Sequence, residues 1–206
     1  MSILNRIFIL TLLILFIGCS KRVSILDISD IDLKYINELS ARPGEEVRFF
    51  PSYDNVPLAC TVIHPKTLPK GAILFIHGLG ARSNMYLTLA DEFAENGYII
   101  YLLDIRGHGY SQGVRGHMPS SDAMEQDIHH FYDYVFSVEG SDQKYIAMGH
   151  SLGTYIWINT LESYTDMDID ALVLISGGTV NNLNTLQTIK ENSRYFSHIN
   201  KCKAFF

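Results

Sequence analysis

The sequence predicts an α/β fold in which a mostly parallel sheet carries helices on both faces. Short apolar runs alternate with stretches whose apolar residues recur at helical spacing, and turns rich in glycine separate them. The chain has 206 residues, of which 47% are hydrophobic, so it suits one domain with a substantial core. Its net charge is −6 and no block of like charge stands out. This balance gives no support for nucleic-acid binding.

The apolar runs are the predicted strands. Val47–Phe50 and Leu58–Ile63 flank the turn Tyr53–Pro57, which predicts a hairpin. Ala72–Ile76 is a short and continuous apolar run, as expected of a strand covered on both faces. Further strands are predicted at Tyr98–Leu103, Tyr145–Met148 and Ala171–Ile175.

Helices are predicted between the later strands. Apolar residues fall at helical spacing from Tyr86 to Phe93. A second helix is expected after Ser121 and Asp122, because either side chain can cap a first turn. A third and largely apolar helix is predicted at Leu152–Leu161.

The pentapeptide Gly149-His150-Ser151-Leu152-Gly153 lies between a predicted strand and a predicted helix. A turn from strand straight into helix holds its serine in a strained conformation with Oγ exposed. Bulky residues two positions to either side would collide with the adjoining elements, so glycine fits there. The N–H groups at the start of the following helix favour negative charge. Ser151 is therefore the predicted nucleophile.

A second glycine-rich turn, His77-Gly78-Leu79-Gly80, follows the Ala72–Ile76 strand directly. An oxyanion that develops during acyl transfer is held by two backbone N–H groups, one of them from a turn in this position. The predicted oxyanion hole is the N–H of Leu79 together with the N–H of Leu152. The alternative is a plain strand-to-helix turn.

A third motif, DIRGHGYS, spans Asp104–Ser111 and also follows a strand. In this order HGLG, DIRGHGYS and GHSLG closely resemble the monoacylglycerol lipase, lysophospholipase and serine aminopeptidase-type branch of the α/β-hydrolases. The resemblance runs from about Glu46 to Gly178 and implies the α/β-hydrolase fold. It also implies an acyl-enzyme at Ser151 and a carboxylic ester substrate, a small molecule or a lipid such as a lysophospholipid or monoacylglycerol. No cofactor and no metal are implied, and a peptidase of the serine aminopeptidase type is the alternative.

The same resemblance implies a catalytic acid and histidine beyond the 171–175 strand and after a cap. Residues 179–206 match only the opening of such a cap, so the triad acid and histidine, the last strands and most of the cap are expected to be missing. The chain alone is then expected to be nearly inactive, and a non-catalytic, truncated pseudoenzyme is the alternative. His108 is interpreted as a loop residue and not as the base. No catalytic role is predicted for the other histidines at 64, 117, 129, 130, 150 and 198.

The N-terminus is predicted to direct export from a bacterial cell. Arg6 precedes an 11-residue run, Ile7–Ile17, which is too short for the roughly 18 or more apolar residues of a membrane span. The run ends in Phe16-Ile17-Gly18-Cys19, which resembles a lipoprotein lipobox. Residues 1–18 are thus a predicted signal peptide, and Cys19 is the predicted lipidated residue.

Cys19 would begin a tether over residues 19–44, ahead of the hydrolase core at 45–178 and the start of a cap at 179–206. The expected location is the cell membrane or outer membrane, on the periplasmic or surface side, with the membrane as a partner through the anchor. An uncleaved signal anchor and an ordinary signal peptide with an incidental cysteine are the alternatives. Cys60 is predicted to be a core residue, and a Cys60–Cys202 disulfide is left open.

Overall fold

A computed structural model describes residues 44–176 of the chain. The strands are β1 (Glu45–Pro51), β2 (Pro57–Ile63), β3 (Ala72–Ile76), β4 (Ile99–Asp104), β5 (Tyr145–His150) and β6 (Ala171–Ile175). The helices are α1 (Leu87–Glu95), preceded by a 3-10 turn at Ser83–Tyr86, α2 (Ala123–Glu139) and α3 (Leu152–Ser163). The predicted signal peptide, lipidated Cys19, tether, cap opening and Cys202 lie outside the described residues.

The strands form one sheet in the order β1-β2-β4-β3-β5-β6. The last four strands along the chain run parallel to one another. The hairpin β1–β2 joins them through an antiparallel pairing of β2 with β4. The carboxyl ends of the four parallel strands therefore meet at one edge, which we call the carboxyl edge. The predicted α/β-hydrolase architecture, with its mostly parallel sheet, is confirmed.

Helices cover both faces of the sheet, as predicted. Within β3, Leu74 belongs to one buried cluster and Phe75 to the other, because successive side chains of a strand point to opposite faces. The first cluster includes Phe131 of α2 and Trp157 of α3. The second includes Ala90 of α1. Burial on both faces explains why β3 is a continuous apolar run in the sequence.

Most predicted elements are confirmed with small shifts at their ends, but the predicted cap of α2 is wrong. Asp122 occupies the N-cap position and its side chain makes no capping hydrogen bond. Its backbone has φ −104° and ψ 4°, whereas a capping residue is typically extended. The carboxylate instead accepts a hydrogen bond of 2.6 Å from the side-chain amide of Gln126.

Cys60 lies in the core, as predicted, and is a free thiol. Complete burial raises the pKa of this thiol far above its usual range, because the thiolate would lose its hydration. Within residues 44–176, none of the helices has both the length and the hydropathy needed to cross a bilayer.

Candidate active site

Ser151 lies at the carboxyl edge, between the last residue of β5 and the first residue of α3. Its backbone has φ 51° and ψ −111°, a strained conformation that non-glycine residues rarely adopt. The Ser151 N–H donates to the Ile175 carbonyl at 3.0 Å, and the Ser151 carbonyl accepts from the Thr154 N–H at 3.1 Å. These bonds stabilise the turn while the residue stays exposed.

Gly149 and Gly153 are required by close backbone contacts around this turn. A Cβ on Gly149 would lie 2.5 Å from the Gly153 carbonyl carbon and 2.6 Å from the Thr154 nitrogen. A Cβ on Gly153 would lie 2.8 Å from the Ile76 carbonyl carbon and would overlap its oxygen. The motif therefore contains glycine because β5 and β3 lie directly against the start of α3.

The turn His77–Gly80 lies beside Ser151. A Cβ on Gly78 would be 3.2 Å from Ser151 Cβ and 3.0 Å from His150 Nδ1. Leu79 is 80% exposed and Gly80 is exposed as well. The structure thus brings together the two glycine-rich motifs that the sequence places more than 70 residues apart.

His77 determines how the peptide between Gly78 and Leu79 is oriented. Its Nε2 accepts the Ile105 N–H at 3.0 Å, so in the neutral ring the proton is on Nδ1, which donates to the Gly78 carbonyl at 2.7 Å. Burial lowers the pKa of His77 and favours this neutral form. The Gly78 carbonyl also accepts from the Ala81 N–H at 3.1 Å.

In a trans peptide the N–H points opposite to the preceding carbonyl, so the Leu79 N–H is directed away from His77 and Ala81. It has no hydrogen-bond acceptor among residues 44–176. Leu152 is the first residue of α3, and a residue there has no acceptor within its helix. The N–H groups of Leu79, in the turn beside Ser151, and of Leu152, directly after Ser151, are therefore backbone donors with no acceptor among residues 44–176.

A pair formed by Tyr86 and His150 lies against the same turn, and the sequence analysis missed it. The Tyr86 hydroxyl lies 2.8 Å from His150 Nδ1 and accepts a hydrogen bond of 3.4 Å from the Gly78 N–H. The hydroxyl can therefore donate to the histidine while it accepts from the turn. These residues are 64 positions apart, and no local pattern in the sequence indicates the contact.

The DIRGHGYS loop is organised around Arg106, which is buried. Its guanidinium donates to both oxygens of Asp127 at 2.8 and 2.6 Å, and to both oxygens of Asp54 at 2.9 Å. His108 Nδ1 lies 3.1 Å from the Arg106 carbonyl, and the His108 ring lies 5.3 Å from the ring of His77. The loop thus links the β1–β2 hairpin to α2.

Within residues 44–176, no histidine or carboxylate is hydrogen-bonded to Ser151 Oγ. His129 has carboxylate partners of its own, with Asp133 and Asp166 each 3.3 Å from one of its ring nitrogens. His198 lies outside the described part of the chain. In that part, no group of three or more histidine, cysteine, aspartate or glutamate residues is arranged to hold a metal ion.

Comparison with protein families gives a match to the family described as serine aminopeptidase, S33, over residues 67–198. A monoacylglycerol lipase from Mycolicibacterium smegmatis is 29% identical over 107 residues, covering 50% of this chain and 37% of that protein. A probable lysophospholipase L2 from Haemophilus influenzae is 27% identical over 126 residues, covering 59% and 40%. The chain therefore spans about two fifths of the length of these relatives.

Solved structures share the fold at low sequence identity. A thermostable carboxyl esterase from Bacillus coagulans superposes with a TM-score of 0.58 and 22% identity, over 73% of this chain and 50% of that chain. An α/β-hydrolase from Novosphingobium aromaticivorans superposes with a TM-score of 0.51 and 21% identity, over 65% and 44%. At this identity the likeness shows the fold alone.

Proposed function

Because this chain belongs to the serine aminopeptidase S33 family of α/β-hydrolases, we propose that it is a serine hydrolase that cleaves carboxylic esters through an acyl-enzyme. Ser151 is the proposed nucleophile. The observation that supports this role is the strained, exposed turn at Ser151, with Gly78 packed against its Cβ side. A hydrolase of the esterase and lipase type fits the named relatives.

In the proposed first step, Ser151 Oγ bonds to the ester carbonyl carbon and its proton passes to a general base. The carbonyl oxygen becomes an oxyanion, which accepts hydrogen bonds from the N–H groups of Leu79 and Leu152. Collapse of the intermediate breaks the bond to the alcohol, which leaves with a proton. Water then adds to the carbonyl carbon of the acyl-enzyme, and collapse of this second intermediate releases the carboxylic acid and restores the Ser151 hydroxyl. Residues 44–176 offer no base in contact with Ser151, so the base is proposed to lie elsewhere in the whole protein.

Esters with an acyl chain, such as monoacylglycerols or lysophospholipids, are the proposed substrates. The names of two relatives refer to such lipids. Leu79, next to Gly78 in the turn beside Ser151, is 80% exposed and offers an apolar side chain there. A peptide substrate is the second candidate, because the matching family is described as an aminopeptidase.

The test of this proposal is labelling of Ser151 by a fluorophosphonate, read by mass mapping of the 206-residue chain. We expect slow labelling that added imidazole, a small-molecule base, accelerates about tenfold. This acceleration is smaller than the ~10²–10⁴-fold increase in rate that a positioned base contributes. Ser151→Ala should remain unlabelled under both conditions. A folded chain that stays unlabelled even with imidazole would instead support a non-catalytic binding module.

We further propose that Cys19 is acylated and holds the exported protein on a bacterial membrane. The sequence Phe16-Ile17-Gly18-Cys19 at the end of the apolar run supports this proposal. Cys19→Ala should move the protein from the membrane fraction to the soluble fraction, because the acyl chains that stabilise membrane attachment are lost. Ser20→Ala is the matched control and should stay with the membrane. Unchanged fractionation of Cys19→Ala would refute the anchor.

A further inference from the structure

The turn between His77 and Ser83 is attached to the rest of the protein at its two ends. Leu79 and Gly80, in the middle, are exposed and gain little from packing. At the first end, His77 Nε2 accepts the Ile105 N–H at 3.0 Å. At the second end, the Ser83 N–H donates to a carboxylate oxygen of Asp104 at 2.6 Å. Both ends of the turn are therefore held at the end of β4, the first by Ile105, which follows the strand, and the second by Asp104, its last residue.

Asp104 is a buried carboxylate whose two oxygens are used by backbone donors. It is 1% exposed, and its second oxygen accepts the Tyr110 N–H at 2.9 Å. Among residues 44–176 it forms no ion pair. A Cβ on Gly109 would overlap this carboxylate, so the glycine of the loop makes room for it. Burying a carboxylate is unfavourable unless its oxygens accept hydrogen bonds. Here the two oxygens of Asp104 accept from Ser83 and from Tyr110, and so they connect the turn to the loop after β4.

Ser83 connects the Asp104 carboxylate to the turn between His77 and Ser83. It is 1% exposed, and its hydroxyl accepts a hydrogen bond of 3.1 Å from Thr61 of β2. Arg82 before it is extended, and Ser83 begins the 3-10 turn. The position of Ser83 is therefore fixed relative to the sheet by a side-chain bond and by the bond from its N–H to Asp104.

We propose that Asp104 is a positioning residue for the reaction at Ser151, because it holds the second end of the turn that carries the Leu79 N–H, while His77 holds the first. This inference rests on the proposed role of Leu79 in the oxyanion hole. A donor stabilises the oxyanion only when it lies within hydrogen-bond distance in the correct direction, and small displacements are costly. Asparagine cannot replace Asp104, since its NH₂ group would face one of the two N–H donors.

Asp104→Asn is compared with Asp127→Asn, a substitution of an equally buried aspartate that binds Arg106 outside this turn. Fluorophosphonate labelling in the presence of imidazole gives the maximal rate constant and the half-saturating probe concentration. For Asp104→Asn we expect the maximal rate to fall about 10- to 100-fold, less than the ~10²–10³-fold cost of removing a donor entirely. The half-saturating concentration should stay within about twofold, since the ground-state complex makes little use of the donor. Asp127→Asn should lose at least as much thermal stability and keep its labelling rate.

Equal labelling rates for Asp104→Asn and Asp127→Asn would overturn the proposal. If Asp104→Asn does not fold, Ser83→Pro removes the same hydrogen bond from the donor side, and proline suits the first position of a helical turn. Thr61→Val, which removes only the hydroxyl contact to Ser83, is its control. A wild-type chain that does not react at all indicates failure of the proposed function instead. Amide exchange at Ala81 and Ser83 then decides whether Asp104 holds the turn, and unchanged exchange in Asp104→Asn would count against it.

Discussion

Gly153→Ala is expected to destabilise the protein by at least about 3 kcal/mol, although alanine ordinarily favours a helix over glycine by about 1 kcal/mol. Gly153 is the second residue of α3, and its φ is not in the left-handed region. The added Cβ would meet the backbone carbonyl of Ile76, with 2.8 Å to its carbon, and a backbone cannot move aside as a flexible side chain can. Chemical unfolding monitored by the fluorescence of Trp157, which is buried in the core, measures the loss.

Gly116→Ala is the matched control for this substitution. Gly116 has φ +71° and nothing within 4 Å of its missing Cβ, so alanine there meets conformational strain without a collision. We expect a loss of about 1–2 kcal/mol. If Gly153→Ala proved as stable as the wild type, the packing of α3 against β3 described above would be wrong. The turn at Ser151 would then require its glycine for a reason other than space.

Arg106→Met is expected to lower the free energy of unfolding by about 3–5 kcal/mol, because it leaves a buried carboxylate without its cation. Asp127 is 2% exposed and both of its oxygens accept from Arg106. Arg48→Met is the control, since Arg48 pairs with the half-exposed Glu46 and should cost about 0.2–1 kcal/mol. Restoring stability by adding Asp127→Leu to Arg106→Met would show that the loss comes from the uncompensated charge. A loss no larger than that of Arg48→Met would contradict the buried network.

The same substitution should change the response of the protein to acid. The Arg106 guanidinium lowers the pKa of Asp54 from 3.8 to about 2. A carboxylate whose pKa is depressed in the folded state contributes stability above its unfolded pKa and loses it as the pH falls. Wild-type stability should therefore decrease between about pH 4 and pH 2 as Asp54 takes up a proton. In Arg106→Met this part of the decrease should be smaller, which acid titration of the unfolding midpoint measures.

The elements of this fold could be predicted because their signals are local. Ala72–Ile76 and Ala171–Ile175 are predicted with the bounds that the structure has, because each is a continuous apolar run. Every residue of Ala72–Ile76 is buried, whereas every residue of Ala171–Ile175 is only partly buried. Strand β5 extends past its predicted end to Gly149 and His150, because pairing with β3 and β6 continues there despite a glycine and a polar residue. Asp122 is of a residue type that commonly caps helices, but its backbone does not have the conformation of a capping residue. The sequence does not indicate that conformation.

The sequence by itself determined the α/β fold, the serine turn at Ser151 and the glycine-rich turn around Leu79. Each of these depends on residues next to one another in the chain and on the order of three motifs. Only the tertiary structure decided that Tyr86 binds His150, and that Asp104 binds the N–H of Ser83. These contacts follow from the strand order β2-β4-β3-β5, which places chain segments side by side in an order that differs from their order in the sequence. Hydrogen bonds between such segments leave no periodic pattern in the sequence. Each segment has the sequence pattern of its own strand, helix or turn whether or not the partner segment is present.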